Sequence, residues 1–119
     1  MDPRHHLGRL GEQLAAEHLE RLGFAIVARN HRTRFGELDL VACDGRTLVF
    51  CEVKTRRGRG DPWDALHDDK RARVRRMARA FLTEVADRPR CRDLRFDAIG
   101  VTIDPRGRLT RLDHLENAF

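Results

Sequence analysis

Four ionisable residues, Glu37, Asp39, Glu52 and Lys54, sit at alternate positions on two otherwise apolar segments separated by Asp44-Gly45. Alternation around an Asp-Gly pair is the pattern of a β-hairpin. With Asp44 and Gly45 as the central turn residues, Leu48 faces Val41, Phe50 faces Asp39 and Glu52 faces Glu37. Leu38, Leu40, Ala42, Val49, Cys51 and Val53 then share one apolar, buried face. The opposite face carries Val41, Leu48 and Phe50 near the turn and the four ionisable residues at the open end. Opposed residues on such a face lie roughly 5 Å apart and diagonal ones roughly 7 Å, so Asp39 and Glu52 can converge on one ion with Glu37 nearby. Three carboxylates that close repel one another, and a shared cation relieves the repulsion.

Oxygen donors alone suit Mg2+ or Mn2+ rather than zinc. His5, His6, His18, His31, His67 and His114 show no zinc-binding spacing. Lys54, two residues beyond Glu52, is placed to orient or deprotonate a water at the metal, or to stabilise charge on a phosphorus under in-line attack. The competing structural reading is a solvated strand end in which Lys54 neutralises Glu52. Strands apolar on both faces elsewhere have little structural reason to gather three acids, which favours the site.

The elements that must hold this hairpin are legible around it. Leu7, Leu10, Leu14, Ala15, Leu19 and Leu22 recur at helical spacing over 7–22, with Gly23 as a C-terminal stop. FAIVARN at 24–30 reads as a strand, GELDLVA and TLVFCEVKT as the hairpin, and RRGRGDP at 56–62 as a loop. Asp61 as N-cap and Pro62 at the first helical position start a second helix running to about Val85 or Ala86. LRFDAIGVTI at 94–103 is a further strand, DPRG a turn, and LTRLDHL a candidate last short strand. The order α-β-β-β-α-β predicts an α/β fold, a mixed sheet covered by helices.

The 119 residues suffice for one domain, 1–119, with a real core. No apolar run approaches a membrane span and no secretory signal opens the chain, so a cytoplasmic protein is expected. Cys43, Cys51 and Cys91 form no CxxC pair, and their odd number points to reduced thiols used in packing. A net charge of +5 and a pI near 10.0 favour a polyanionic partner such as nucleic acid. Twenty-two of the 24 basic residues are arginine, a skew that base composition also produces, which leaves Lys54 and Lys70 as the two sites where a compact ammonium is retained.

The run GELDLV at 36–41, Asp44-Gly45 and LVFCEVKTR at 48–56, with the Gly-Glu pair of the first helix, the Lys70 helix and RFDAI at 95–99, closely resembles the bacterial YraN family of uncharacterised proteins. That family looks like a branch of the PD-(D/E)xK nuclease superfamily, which includes archaeal Holliday-junction resolvases and many restriction enzymes. The resemblance covers nearly the whole chain. It implies a restriction-endonuclease-like central sheet flanked by helices, Asp39 and Glu52 as metal ligands, Lys54 as the catalytic lysine and Glu12 as the acid of the first helix. Leu38 and Cys51 are conservative departures at apolar positions.

Glu12 lies at the edge of its helix's apolar arc, where Gly8, Ala15 and Ala16 permit close approach to the sheet. It either completes the metal's outer shell or is an ordinary boundary glutamate. Lys70 falls between Leu66 and Val74 on the second helix's apolar arc, which Met77, Phe81 and Val85 continue, and either meets the site or a substrate phosphate or snorkels outward. Arg32, Arg34, Arg56, Arg57 and Arg59 flank the acidic end of the hairpin, where a phosphate backbone would meet them. Arg75, Arg76 and Arg79 read as a solvated helix face or an extension of that basic track. With no Tyr, and Trp63 read as a core anchor, recognition of DNA backbone and shape is expected rather than base readout.

The leading expectation is therefore Mg2+- or Mn2+-dependent phosphodiester hydrolysis, in branched or flapped DNA. The rivals are a non-catalytic nucleic-acid-binding module and a subunit of a larger DNA-processing complex. Many nucleases of this type act as dimers, which makes a homodimer one assembly to test.

Overall fold

The computed structural model describes the backbone of residues 3–58 and 68–119 and the side chains of residues 6–58 and 71–119. Its elements are α1 (Pro3–Arg21), β1 (Ala25–Thr33), β2 (Gly36–Cys43), β3 (Thr47–Arg57), α2 (Asp68–Glu84), β4 (Asp93–Ile103) and β5 (Leu109–Leu115). The expected α/β order is present, and the LTRLDHL segment completes it as β5. The proposed helix start at Asp61 and Pro62, and the anchor Trp63, lie outside the described residues.

The strands form one mixed sheet in the order β1-β2-β3-β4-β5. Only β3 and β4 are parallel, joined by the crossover that contains α2. Period-2 alternation along β3 divides the core between the two faces. Val49, Cys51 and Val53 pack with Ala15, Ala16 and Leu19 of α1, while Leu48 and Phe50 pack with Val74, Met77 and Phe81 of α2. One helix therefore covers each face. α1 ends in a Schellman-type turn, where Phe24 N–H donates to Leu19 O at 3.0 Å and Gly23 adopts φ 97°. Leu22, expected in the apolar stripe, is 53% exposed, because the chain has already left the helix there.

The hairpin register differs from expectation by one turn position. Leu40 pairs with Cys51 and Val41 with Phe50, so Gly45 and Arg46 are the central residues. The physical reason is Asp44, whose Oδ1 accepts the N–H groups of Arg46 and Thr47 at 2.9 and 2.8 Å. Gly45 takes φ 94° at the first central position, as a type II′ turn requires, whereas Asp44-Gly45 at the centre of a type I′ turn needs both residues at positive φ. Displacing both partners together preserves the parity of β3, and its two faces are as expected.

On β2 the alternation fails in one place. Leu38 belongs to the α2 cluster while Leu40 and Ala42 belong to the α1 cluster, so the expected common face of all three is not formed. The change of face falls where the ladder to β3 ends, at Leu40 and Cys51, and beyond it β2 is paired with β1 alone. A second difference lengthens β3. Arg56 and Arg57, expected in a loop, pair with Thr102 and Ile103, because the parallel ladder to β4 runs along the whole strand.

The cysteines also differ from expectation. Cys43 and Cys91 are joined in a disulfide, and only Cys51 is a free, buried thiol. They are 48 residues apart in sequence. β3 brings them together by pairing with both β2 and β4, setting Cys43 beside Leu48 and Asp93 beside Thr47. No helix among the described residues is long and apolar enough to cross a membrane.

A buried polar network ties β4 to β5 and α1. Asp97, fully buried, accepts three bonds from Arg95, two from Nε and one from Nη2, one from the Asn117 N–H and one from His114 Nε2 at 2.7 Å. His114 Nδ1 meets His18 Nε2 at 3.0 Å. Burial pushes the Asp97 carboxyl up, but the bonds from His114, Arg95 and Asn117 reverse this and hold it below its ordinary value.

Gly11, one residue before Glu12, sets how closely α1 approaches the sheet. A Cβ there would overlap the Thr55 side chain, whereas one at Gly8 meets open space. The small-residue contact expected at Gly8 is thus made by Gly11. Gly11→Ala is expected to lower stability by about 1–3 kcal/mol through overpacking. Gly8→Ala is expected to raise it by up to ~1 kcal/mol through helix propensity. Urea midpoints of the two variants check the contrast, and equal responses would remove Gly11 as the contact.

Candidate metal centre

The acids meet where β2 and β3 diverge. Beyond Leu40, the Val53 N–H donates to Asp39 Oδ2 at 2.8 Å, so a side-chain carboxylate occupies the place of a backbone acceptor. Asp39 is thereby held between the two strands. On the β3 side it hydrogen-bonds Glu52, which is 9% exposed and whose Oε1 lies 3.7 Å from Lys54 Nζ.

On the α1 side, carboxylate oxygens of Glu12, Glu37 and Asp39 all lie within 4.8 Å of one another. Asn30 of β1 positions two of them, donating from Nδ2 to Glu12 Oε2 and, at 2.9 Å, to Glu37 Oε1. Asn30 adopts φ 48°, a left-handed conformation that Asn accepts more readily than most residues. Arg32 reaches Glu37 Oε2 at 3.5 Å. Gly36, at φ 133°, starts β2 on this acid segment, and a Cβ there would come 3.1 Å from Met77 Sδ of α2. The turn that delivers Glu37 is thus seated on the second helix.

These acids cannot all be ionised cheaply. Burial, followed by the charge of Glu52, pushes the Asp39 carboxyl up to about 8 despite the opposing bond from Val53, and Glu12 adds to the rise. Burial likewise raises Glu12, with Glu37 and Glu52 adding to the effect and Asn30 opposing it. A proton or a cation must balance the cluster. Its donors are all oxygens, the set that suits a hard divalent ion.

A cleft of about 400 Å3 opens onto the cluster, lined by Gly8, Arg9, Glu12, Asn30, Arg32 and Glu37. Asp39, Glu52, Lys54 and Glu12 are brought together, with Glu37 as a further member of the acidic group. Arg32 lies at this cleft, whereas Arg34 lies in a different groove. Arg56 is half-buried and Arg57 exposed at the end of β3. Arg59 and the side chain of Lys70 fall outside the described residues. Sequence reasoning missed Asn30 and Arg9. Asn30 carries a signal, since Asn is a poor strand residue and here falls inside β1. Arg9 carries one too, three positions before Glu12 on the same helix face.

A mixed sheet with a helix on each face, and an acidic centre shared by α1, β1, β2 and β3, defines the class of protein. Within that class, the model of Uncharacterised protein family UPF0102 matches residues 11–101. The chain belongs to this family, the same one that its GELDLV and EVKTR segments resemble. It is similar to the UPF0102 protein of Pelotomaculum thermopropionicum, 45% identical over 120 residues that cover 99% of this chain and 98% of that one. The UPF0102 protein of Frankia alni is 48% identical over 115 residues, covering 95% and 93%. That of Acidothermus cellulolyticus is 59% identical over 85 residues, 70% of this chain and 64% of the relative, so the match spans less than two thirds of that protein.

Proposed function

We propose that this chain is a metal-dependent, nuclease-like protein that hydrolyses phosphodiester bonds in DNA, with branched DNA as the first substrate to test. The observation that carries the reading is the position of Asp39. Its carboxylate is half-buried between diverging strands, bonded to Glu52, with Glu12 and Glu37 close by and Lys54 beside Glu52. The resemblance to PD-(D/E)xK nucleases supports the same reading through Asp39, Glu52 and Lys54.

Asp39 and Glu52 would hold a Mg2+ or Mn2+ ion, with Glu12 and Glu37 completing its surroundings. When bound, such an ion supplies Lewis-acid activation of a phosphoryl oxygen and a lowered pKa for water. The chain's own residues do the rest. Lys54 orients the attacking water and offsets charge developing on the phosphate. Asn30 keeps Glu12 and Glu37 aligned. Arg9 and Arg32, on the cleft wall, hold the flanking phosphates.

The test is a cleavage assay on duplex, single-stranded and four-way-junction DNA with Mg2+, Mn2+ or EDTA. Cleavage is expected with either metal, none with EDTA, and none from Asp39→Ala. Binding without cleavage under every metal would replace the proposal with a non-catalytic binding module.

A further inference from the structure

A second groove, of about 450 Å3, is enclosed by the β1–β2 turn and the outer side of α2. It is lined by Arg34, Phe35, Arg76, Arg79, Thr83 and Glu84, on the face of the sheet opposite α1. Arg76 and Arg79 stand one helical turn apart and project in nearly the same direction. The Arg34 guanidinium lies over the Phe35 ring, 4.7 Å from its centroid, which fixes it in the wall.

All three arginines are exposed, and among the described residues none of them forms an ion pair. Arg32, Arg46, Arg95 and Arg111, by contrast, each face a carboxylate. The acid in the groove wall, Glu84, is turned toward His31, 3.7 Å away. Three guanidiniums around one concavity repel one another until an anion with several oxygens joins them, and the planar fork of arginine matches a phosphate.

We infer that this groove is a second nucleic-acid contact, which takes the phosphates of a strand passing round the β1 edge of the sheet from the acidic cleft. β1 is one of the two edge strands. Arg32 and Arg34, two residues apart at its end, face different concavities: Arg32 lines the acidic cleft and Arg34 the groove. A backbone following them passes from one concavity to the other round the β1 edge without crossing the sheet. With Arg34 covering the Phe35 ring, the contact is to backbone rather than to stacked bases. A two-sided contact suits a substrate with more than one arm. The choice of DNA as the polymer rests on the nuclease-like reading, while binding in the groove does not require cleavage.

The test measures binding of the full chain to a fluorescent 20-bp duplex and a four-way junction, in metal-free buffer across a salt series. Combining Arg34→Ala, Arg76→Ala and Arg79→Ala is expected to weaken affinity at least ~10-fold and lower the salt slope by about 2–3. Arg106→Ala with Arg108→Ala, on the exposed β4–β5 turn at the opposite edge of the sheet from β1, is expected to change affinity less than ~2-fold, a loss that global charge alone explains. Thermal melts should show all variants folded, since the replaced side chains are exposed. Unchanged affinity in the triple variant, or an equal loss in the control pair, would overturn the groove. So would equal displacement of the DNA by millimolar inorganic phosphate or ATP, which marks a small-anion site. If the wild type cuts no DNA with any metal while the triple variant loses binding, the groove stands and the nuclease reading falls. If the wild type cuts DNA and the triple variant binds as tightly as before, the nuclease reading stands and the groove falls.

Discussion

Asp39→Asn is expected to cut metal-dependent DNA cleavage by at least about 100-fold, beyond the ~10–100-fold typical of residues that merely support a ligand. Asn is the informative replacement because its side-chain oxygen still accepts the Val53 N–H, so the junction between β2 and β3 is kept. Alanine would leave that donor unpaired as well. The same variant makes a second, opposite prediction for stability. In the metal-free folded protein Asp39 holds its proton up to about pH 8, against 3.8 as the ordinary value. A raised carboxyl pKa gives a contribution that is fully present below pH 3.8 and lost as pH rises through about 8. Metal-free wild type should therefore melt at progressively lower temperature between pH 6 and 9. Asp39→Asn, which cannot ionise, should show a flatter profile. Added Mn2+ should raise the melting temperature of the wild type more at pH 8 than at pH 6, since the ion and the proton compete for the same oxygens. A wild-type profile as flat as that of the variant would show that Asp39 is not the strained carboxyl.

Lys54→Ala is expected to lower the single-turnover cleavage rate by about 100- to 10,000-fold, the span found for positioned acid–base groups. Metal-induced stabilisation should change little, because Lys54 supplies no ligand atom. Its ammonium sits by Glu52, half-buried, on a strand laddered to β4 along its whole length, with Lys54 itself opposite Gly100. Lys54→Arg should not rescue the rate, since a guanidinium is larger and does not give up a proton near neutral pH. A loss below about 10-fold with metal stabilisation intact would remove Lys54 from the reaction and leave it as the counter-ion of Glu52. Loss of both would instead make it part of the metal-holding scaffold.

Much of this site was legible because its signals are local. Helical recurrence of Leu10, Leu14 and Leu19 marks α1, and alternation along Leu48 to Lys54 marks β3 and its two faces. Asp39, Glu52 and Lys54 still group together, with parity kept on β3 but not on β2, whose face changes at Asp39, so the grouping comes from the meeting of two strands that diverge beyond Leu40. Leu38 shows the limit. Its position in the alternation assigns it to α1, yet it packs with α2, because β2 parts from β3 at Leu40 while staying paired with β1, and nothing local encodes where a ladder ends. Cys43 and Cys91 likewise carry no pairing signal across 48 residues until the sheet order brings them together.

The sequence by itself determined the elements, the mixed α/β class, and an acidic strand pair with a lysine two residues beyond Glu52. Those follow from periods of 2 and 3.6 residues and from residue type. Only the tertiary structure decided that Glu12, Asn30 and Glu37 close on Asp39 from three different elements, and that Arg32 and Arg34 part company at the sheet edge. Both depend on the close seating of α1 at Gly11 and of the β1–β2 turn on Met77. Packing of distant surfaces sets these contacts, and no spacing within a single element records it.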